Sequence, residues 1–547
     1  MPRFIFSLML GLLVASFAAG AEGITVHKQQ RSIQKDGSYA LEHKTEQWNP
    51  QETALIVCDM WDAHHCLNAV RRETEMAPRL NKVLEAARKQ GVLIIHAPSS
   101  CTEPYQDHPG RKLAISAPKA KTLPADIAEW CRQIPAEEKG KYPIDQTDGG
   151  EDDDLDEHKA WHEKLASLGR NPKAPWKSQI DLITIQDEDA ISDSGVEIWN
   201  LLESRGIKNV ILSGVHTNMC VLGRPFGLRQ MAKNGKNVVL LRDMTDTMYN
   251  PARPPYVNHF AGTQLIIEHI EKFVCPTITS VDFVGGAPFK YSHDKRSVVM
   301  LIGDDEYKTE VSLPAFAKSE LEPLGFDVTI IHSDSADKNR FPGLVEALKK
   351  ADLLLISVRR RLPPPEQLDA VRAHVAAGKP VVGIRTAGHA FCLRDEAKQK
   401  ELLASGLAAW PEFDAQVIGG HYTNHHGDGP KTTVTIAEGA REHAILRGVE
   451  VGELTGTGSL YLVRPLATTA TPLLIGSVPE KEAEPIAWTN LAGKREARVF
   501  YTSLGHARDF ENAQFRKLLV NGIFWAIEPQ YRSDWTKLAP KTVSGAR

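Results

Sequence analysis

Residues 210–221 read Val-Ile-Leu-Ser-Gly-Val-His-Thr-Asn-Met-Cys-Val. The first four residues form an apolar run of strand length, and Gly214 permits a tight turn directly after them. The following residues, 222–233, show helical periodicity, so the turn delivers Cys220 to the start of a helix. A helix N-terminus lowers the pKa of a thiol, and its free amides can hold an oxyanion. The stretch therefore predicts an α/β domain with a nucleophilic cysteine at a sheet edge.

Asp59 stands at the corresponding place on another strand. The run Ala54-Leu-Ile-Val-Cys58 is short and apolar, and Asp59 follows it directly. Similar runs alternate with helical patterns at 76–90 and 196–204, which is typical of a doubly wound parallel sheet. Such sheets bind ligands at the carboxyl ends of their strands. We therefore expect Asp59 and Cys220 at one edge.

Together these stretches resemble the isochorismatase-like, or cysteine hydrolase, superfamily, whose hallmarks are an apolar strand ending in Asp and a later Gly-Val-x-Thr-x-x-Cys-Val turn. The resemblance covers roughly residues 50–270. It implies a three-layer α/β/α domain in which Cys220 attacks an amide or related carbonyl and Asp59 is the general base. It also implies a cis peptide bond between Val215 and His216, with the amides of His216 and Cys220 directed at the oxyanion.

The catalytic lysine of the superfamily is missing. Relatives carry it about eight residues before the glycine that opens a later helix, and counting back from Gly195 leads to Asp187. An aspartate base and a thiolate repel each other unless a positive charge lies nearby. The substitutes left open are Lys177, a residue of the long insertion, a metal held by acidic residues, and Arg224. A further alternative is that the site has lost hydrolysis and only binds.

Four side chains are expected to line the substrate pocket: Trp61, His64, Asn218 and Arg224. Trp61 occupies the place where many relatives have Gln, which favours a flat or apolar ligand surface. Nicotinamidase-like relatives bind zinc through one Asp and two His, but their spacing is not reproduced here. The histidines are therefore interpreted as a polar pocket, with a metal as the alternative.

A long insertion spans about residues 97–180, which is too long for an ordinary α/β connection. It contains the acidic run Gly149-Gly-Glu-Asp-Asp-Asp154, which lacks the spacing of a calcium loop. We interpret the run as a solvated loop, with a metal loop as the alternative.

A second α/β block follows a polar joint rich in Gly and Pro at residues 276–295. Its strand-length runs lie at 298–302, 328–331, 353–356, 381–384 and 498–502. Helical patterns separate these runs, including 313–324 and 512–526. The block therefore predicts a second doubly wound sheet.

The stretches 301–307, 382–389, 419–426 and 503–506 resemble the trehalose-utilisation (ThuA-like) family, which shares the class I glutamine amidotransferase-like fold. The resemblance covers residues 296–528. True amidotransferases carry a nucleophilic Cys in the turn after the strand that corresponds to residues 381–384. Here that turn reads Arg-Thr-Ala at 385–387, and Cys392 lies too far along, so glutamine hydrolysis is not expected.

What remains in this block is a crevice rich in polar groups. Its candidate lining residues are Glu306, His389, His421 and His506. They suggest a carbohydrate-like or metal-assisted site. The neighbouring pair His425 and His426 belongs either to this site or to a solvated loop.

Composition narrows the classes of partner. A chain of 547 residues is long enough for at least two domains. It contains 65 Lys+Arg and 69 Asp+Glu and has no basic block, so nucleic acid is a poor candidate partner. Seven cysteines without a CxxC pair disfavour both a disulfide scaffold and a structural zinc site.

The first 21 residues predict a secretory signal peptide. Arg3 precedes the apolar run Ile5–Phe17, and the sequence Ala-Ala-Gly-Ala ending at Ala21 fits a cleavage site. The remaining sequence has no further long apolar run, so no membrane contact is expected after cleavage. A periplasmic or extracellular location follows from this interpretation.

The sequence thus predicts an exported α/β protein with two doubly wound α/β/α domains and mainly parallel sheets. The expected parts are a signal peptide at 1–21, an isochorismatase-like domain at 50–275, a linker at 276–295 and a ThuA-like domain at 296–528. The favoured reaction is thiol-mediated hydrolysis of an amide or similar C–N bond in a small molecule. The alternative is a silent isochorismatase-like binding module beside a ThuA-like domain with carbohydrate-related activity. No cofactor is required, a divalent metal is left open, and a homo-oligomer is one expected state because relatives of the first domain commonly self-associate.

Overall fold

The computed structural model describes residues 23–427 and 429–528. It contains two large sheets, one of eight and one of nine strands, each covered by helices. The predicted α/β class with two domains is confirmed. The predicted signal peptide lies outside the described residues. Within the described ranges, no helix has both the length and the apolar character needed to cross a bilayer.

The first sheet has the order β2-β1-β8-β7-β6-β3-β4-β5, and the strands from β8 to β5 are parallel. Its strands are β1 (Ile24–Ile33), β2 (Tyr39–Trp48), β3 (Thr53–Cys58), β4 (Leu93–Ala97), β5 (Ala190–Ile191), β6 (Asn209–Val215), β7 (Asn237–Asp246) and β8 (Thr277–Ile278). Its helices are α1 (Leu67–Gln90), α2 (Pro109–Ile115), α3 (Leu155–Ser167), α4 (Gly195–Ser204), α5 (Leu228–Lys233), α6 (His259–Phe273) and α7 (Val281–Val284).

The central strands β3 and β6 are buried along their whole length. Side chains of a strand alternate between its two faces. Leu55 and Val57 belong to the same apolar cluster as α1, whereas Ile56 belongs to the cluster that contains α4 and α5. Helices on both faces therefore explain why these strands are continuously apolar.

The sheet extends further than the sequence patterns indicated. The hairpin β1–β2 pairs in register from Ile24 with Trp48 to Ile33 with Tyr39, ahead of the predicted domain start at residue 50. At the other end, β8 and α7 lie within the segment 276–295, where only a linker was predicted. The sequences of these elements show no clear alternation of apolar and polar residues, so the sequence patterns did not predict them.

The helix predicted over 222–233 is wrong. A π-helical turn, Thr217–Val221, follows β6, and α5 begins only at Leu228. Pro225 lies between them and has no amide hydrogen to donate. Because of this break, residues 222–227 connect the π-helical turn to α5 without continuing a single helix.

The insertion between β4 and β5 packs against the first domain. The prediction of a solvated acidic loop is wrong at Asp152 and Asp153. The Asp153 carboxylate accepts hydrogen bonds from the amides of Leu67 and Asn68, both at 2.8 Å, and so caps the start of α1. Asp152 is ion-paired with Arg72 at 2.7 Å.

The second sheet has the order β10-β9-β11-β12-β19-β18-β17-β14-β15, parallel from β10 to β19 and antiparallel beyond. Its strands are β9 (Ser297–Gly303), β10 (Asp327–His332), β11 (Leu353–Val358), β12 (Val381–Ile384), β14 (Thr432–Ile436), β15 (Thr455–Gly456), β17 (Thr471–Ser477), β18 (Glu484–Ala492) and β19 (Ala497–Thr502). The short strands β13 (Asn424–His425) and β16 (Tyr461–Leu462) pair separately. The helices are α8 (Thr309–Phe316), α9 (Leu344–Lys350), α10 (Pro365–Ala376), α11 (Glu396–Ala404) and α12 (Ala513–Ile527).

Two features of this domain depart from the sequence prediction. The antiparallel strands β14, β15, β17 and β18 were not predicted. The single helix expected over 313–324 is broken, because α8 ends at Phe316 and is followed by a π-helical turn and the 3-10 turn Glu322–Leu324. Proline at 314 and at 323 explains the break, since each removes a helical hydrogen bond.

A cavity of about 970 Å³ lies between the two domains. Acidic residues of the insertion line one side, and Arg447 and Glu528 of the second domain line another. Beside it, Arg72 pairs with both Asp152 and Asp246 at 2.7 Å, and His259 contacts the same two carboxylates at 3.3 and 2.9 Å. With His259 protonated, this buried tetrad is electrically neutral and ties the insertion to α1, β7 and α6.

This tetrad predicts a pH-dependent stability. Burial and the Arg72 charge oppose protonation of His259, but Asp246 and Asp152 outweigh them and raise its pKa to about 9. Because the folded pKa exceeds the unfolded value, the stabilisation is fully present below about pH 6.5 and is lost as the pH rises through 9. We expect the thermal midpoint to fall between pH 6.5 and 9.5, because deprotonation of His259 removes up to about 3 kcal/mol from the free energy of unfolding.

The check is differential scanning calorimetry of His259→Gln across the same pH range. The variant should show a lower midpoint at pH 6.5 and a much flatter dependence than wild type. His332→Gln, at an exposed position on β10, is the matched control and should keep the wild-type slope. An unchanged slope in His259→Gln would contradict the assignment.

Candidate active site

Asp59 and Cys220 meet at the carboxyl edge of the first sheet. Asp59 follows β3 with a left-handed φ of 49° and is fully buried. Cys220 lies in the π-helical turn after β6 and is 7% exposed. The peptide bond between Val215 and His216 is cis, and the His216 backbone amide acts to lower the pKa of the Cys220 thiol. The structure therefore brings together the residues that the two motifs singled out.

The Asp59 carboxylate has hydrogen-bond partners on both oxygens. Oδ1 accepts from the Ser99 amide at 2.8 Å, and Oδ2 lies 3.0 Å from both Nε and a terminal nitrogen of Arg224. The negative charge of this carboxylate also acts on the Cys220 thiol and raises its pKa. Asp59 thus couples the thiol electrostatically to a guanidinium.

Arg224 is the cation that this site contains. Its guanidinium carbon lies 4.6 Å from the centre of the Trp130 ring, in a cation–π contact. Lys177, the other single residue considered as a substitute, donates its backbone amide to Asp62 at 2.9 Å. Asp187, at the position where relatives have lysine, is exposed.

The electrostatics favour a neutral thiol. Burial and the Asp59 charge raise the pKa of Cys220, and Arg224 only partly opposes them. Burial also raises the pKa of Asp59, but Arg224 and Ser99 act in the opposite direction. We assign the pair as a neutral Cys220 thiol beside an Asp59 carboxylate. The lowered thiol pKa expected from a helix start is therefore wrong for this closed site.

Aromatic rings pack together in the segments that follow β3 and β6, close in sequence to Asp59 and Cys220. Trp61 stacks on Trp176 at 4.7 Å and donates its indole N–H to the Ser99 carbonyl at 3.1 Å. His64 packs edge-on against His216 at 4.8 Å. Burial lowers the pKa of both histidines, that of His216 to about 3, so both rings are uncharged.

Asn218 is engaged by the protein itself. Its Oδ1 accepts from the Met248 amide at 2.9 Å, and its Nδ2 donates to the Met248 carbonyl and to Gln146 Oε1, both at 2.8 Å. The side chain therefore anchors the turn that carries Cys220 to β7 and to the insertion.

The insertion covers this turn. The Cys131 amide donates to the Gly223 carbonyl at 2.8 Å, and the Tyr142 hydroxyl donates to the Asn218 carbonyl at 3.2 Å. Gly223 permits the close approach, because a Cβ there would lie 3.0 Å from the Trp130 ring. No periodic pattern singles out Trp130 or Tyr142, because both lie in an irregular segment.

A cavity of about 610 Å³ opens between the insertion and this turn. Asn218, Met219 and Gly223, on either side of Cys220, contribute to its lining. The opposite side holds an ion-paired group in which Glu137 contacts Arg229 at 2.7 Å and His269 at 2.9 Å.

The candidates of the second domain fall into two groups. His389 is buried against Tyr422 at 4.3 Å, and Tyr422 in turn contacts Tyr461. His506 contacts the Tyr307 ring at 5.8 Å. Arg385 connects the two histidines, since its guanidinium lies between Tyr307 and Tyr461.

The remaining candidates have carboxylate or guanidinium partners. Glu306 pairs with Arg359 at 2.6 Å, and the exposed His421 pairs with Asp414 at 2.8 Å. His425 belongs to β13 and pairs with Tyr461 of β16, and the amide of His426, directly after β13, donates to the Leu460 carbonyl at 2.8 Å. Sequence reasoning excluded a nucleophile at position 385 but missed that the arginine there is buried.

One group of possible metal ligands lies in the described part of the chain. Cys66, Asp152 and Asp153 place their ligand atoms within 4.8 Å of one another. Arg72 and the amides that begin α1 already hydrogen-bond to the two carboxylates. The group is thus satisfied by protein partners and is separate from Asp59 and Cys220.

Comparison with known proteins gives a family for the second domain. A family model described as ThuA, trehalose utilisation, matches residues 298–526. This part of the chain is a ThuA domain. Among the curated proteins, none matches the chain.

Solved structures similar to the chain include ThuA-like proteins and cysteine hydrolases. A ThuA-like protein from Bacteroides uniformis is 17% identical and covers 44% of this chain and 95% of its own, with a TM-score of 0.33. A cysteine hydrolase from Pseudomonas syringae is 17% identical and covers 43% and 91%, with a TM-score of 0.25. An isochorismatase family protein from Burkholderia thailandensis is 15% identical and covers 42% and 93%, with a TM-score of 0.23.

Replacing Asp59 tests how its carboxylate controls the reactivity of the Cys220 thiol. Asp59→Asn removes the charge that raises the pKa of Cys220 and leaves Arg224 beside the sulfur. We expect iodoacetamide to alkylate Cys220 about tenfold faster at neutral pH in this variant. The measurement is peptide mass spectrometry over a pH series.

Asp36→Asn, in the exposed turn between β1 and β2, is the matched control and should leave the rate unchanged. Cys220→Ser identifies the labelled peptide. If Asp59→Asn alkylates no faster than wild type, the carboxylate does not hold the thiol in its neutral form.

Proposed function

We propose that the first domain is a hydrolase that cleaves an amide or similar C–N bond in a small molecule through Cys220. The observation that carries the proposal is the buried Asp59 carboxylate, which Arg224 holds at 3.0 Å and whose charge acts on the Cys220 thiol at the same sheet edge. A nucleophile within reach of a base that is itself held by a third group is the arrangement that covalent hydrolysis requires.

In the first half-reaction the sulfur attacks the carbonyl carbon while Asp59 takes the thiol proton. The amide of His216 lies next to the sulfur and is positioned to stabilise the negative charge on the carbonyl oxygen. Asp59 then donates the proton to the leaving nitrogen as the C–N bond breaks. The products are a free amine and a thioester on Cys220.

In the second half-reaction water attacks the thioester, and Asp59 accepts one of its protons. The acid leaves, and the proton returns to the sulfur. The route uses only protein groups and water. In this route Asp59 gains and then loses a proton in each half-reaction. A neighbouring cation that stays charged throughout stabilises the carboxylate form of Asp59 each time.

Arg224 fits this role in place of the missing lysine. A guanidinium keeps its charge at all working pH values and binds a carboxylate through two nitrogens. It therefore holds Asp59 in one orientation without competing for its proton. Its ring contact with Trp130 also links the base to the insertion.

The aromatic rings that follow β3 and β6 favour a flat, uncharged reacting group. Trp61 and Trp176 present stacked indoles, and His64 and His216 are neutral because burial lowers their pKa. An amide attached to a ring or another planar group suits such a surface better than a charged one.

The test uses p-nitrophenyl acetate as an acyl donor for the purified chain. We expect a burst of p-nitrophenol, an acetyl group on Cys220, and slow steady turnover. Cys220→Ser should lose the burst. Asp59→Asn should keep acylation but lose steady turnover by about a hundredfold, because the attacking water has no base.

Cys392→Ser, in the second domain, is the control and should behave as wild type. Acetyl transfer to another residue, or equal turnover by Asp59→Asn, would contradict the proposal. Absence of a wild-type burst would favour the alternative, a binding domain, for which the near-complete burial of Cys220 is the supporting observation.

We also propose that the protein is exported, on the basis of the signal-like sequence of residues 1–21. Expression in a bacterial host should give a periplasmic product whose mass corresponds to a chain beginning at Glu22. Full-length mass in the cytoplasmic fraction would contradict export.

A further inference from the structure

A buried guanidinium lies at the sheet edge of the ThuA domain. Arg385 follows β12 directly, has a left-handed φ of 42° and is 2% exposed. It lies between the rings of Tyr307 and Tyr461, whose centres are 4.2 and 4.5 Å from its guanidinium carbon. A Cβ at Gly458 would lie 2.5 Å from one of its nitrogens, so the backbone is closely fitted around it.

The partners of Arg385 are uncharged. Its nitrogens donate to the carbonyls of Ser459 and Ser503, to the Ser459 hydroxyl and to the Tyr307 hydroxyl. Within residues 23–427 and 429–528 no carboxylate lies within 4 Å of it. Asp509 acts on Arg385 electrostatically but does not form an ion pair with it. A buried guanidinium without an ion-pair partner is costly, so this position favours an anion.

Three more arginines surround the same edge. Arg359 and Arg360 follow β11, and Arg394 lies shortly after the turn that contains His389. The Arg360 amide donates to the His389 carbonyl at 3.2 Å, which fixes the two loops together. Burial and all four guanidinium charges lower the pKa of His389 to about 2.

Few carboxylates balance these charges. Glu306 pairs with Arg359, and the nearby Asp414 pairs with His421. In the described part of the chain Arg360 and Arg394 have no carboxylate within 4 Å. Asp304 and Asp509 also act on Arg359 and Arg385, but their carboxylates accept hydrogen bonds from the amides of Glu306, Tyr307 and Thr457. Arg360, Arg385 and Arg394 are therefore left without an ion-pair partner in the described part of the chain.

Neutral polar groups at this edge also lack partners. His389 Nδ1 and Thr386 Oγ1 are buried without a hydrogen bond in the described structure. Both are groups that bind a ligand hydroxyl as donor or acceptor. Buried polar groups normally have partners, so these two atoms indicate a missing ligand or water.

We propose that this edge, defined by Arg359, Arg360, Arg385, Arg394 and His389, binds a small anionic sugar derivative, a sugar acid or sugar phosphate. The arginines hold the carboxylate or phosphate, to which guanidinium geometry is matched. His389 and Thr386 hydrogen-bond the hydroxyl groups, and the rings of Tyr307, Tyr422 and Tyr461 pack against the apolar faces. The site is independent of Cys220.

The experiment is isothermal titration calorimetry of the full chain with D-glucuronate, glucose 6-phosphate, glucose and inorganic phosphate. We expect at least one of the two anionic sugars to bind at least tenfold more tightly than either glucose or phosphate. Preference for glucuronate or for glucose 6-phosphate assigns the anionic group.

Arg360→Gln should weaken that binding by about tenfold. Arg495→Gln, at an exposed turn between β18 and β19, is the matched control and should bind as wild type, as should Cys220→Ser. A circular dichroism melt checks that both arginine variants are folded.

Four results would overturn the proposal: no binding by either anionic sugar, equal binding of glucose, equal binding of inorganic phosphate, or unchanged affinity in folded Arg360→Gln. Because Cys220→Ser is included, a failure here is distinguishable from a failure of the hydrolase proposal.

Discussion

The buried Asp59 carboxylate is the constraint on which the first domain depends. A charge at 0% exposure requires a counter-charge and several hydrogen bonds. Arg224 supplies the charge, and it can reach Asp59 only because Pro225 interrupts the helix that would otherwise run through this segment. The same break leaves Gly223 free to meet the insertion. The break at Pro225 therefore affects both the ion pair of Asp59 with Arg224 and the contact between Gly223 and the insertion.

The insertion is held at two ends for different reasons. Near the thiol, Trp130 contacts Arg224 and the Cys131 amide bonds to Gly223. Far from it, Asp152 joins the tetrad with Arg72, where burial makes any unpaired charge costly. A segment fixed at both ends keeps water from the thiol, and this exclusion is what raises the pKa of Cys220.

Sequence patterns predicted the strands that are continuously apolar and the motifs that follow them. The parallel strands are continuously apolar, and the motifs placed Asp59 and Cys220 at one edge. The hairpin β1–β2 and the antiparallel strands of the second sheet were missed because their burial depends on neighbours distant in the chain. The Arg224 contact was one of several alternatives, since only the folded path after Pro225 selects it. The direction of the Cys220 pKa shift was wrong because the covering insertion has no readable pattern.

The two sheets use the same backbone position for opposite charges. Asp59 and Arg385 each follow a buried parallel strand in a left-handed conformation, with φ of 49° and 42°. Asp59 is neutralised by Arg224 and acts on a thiol, so protons can move within the group without changing its net charge. Arg385 has only neutral partners and cannot release its proton at any working pH. The first edge is therefore suited to proton transfer and the second to holding an anion, which argues for chemistry in one domain and recognition in the other.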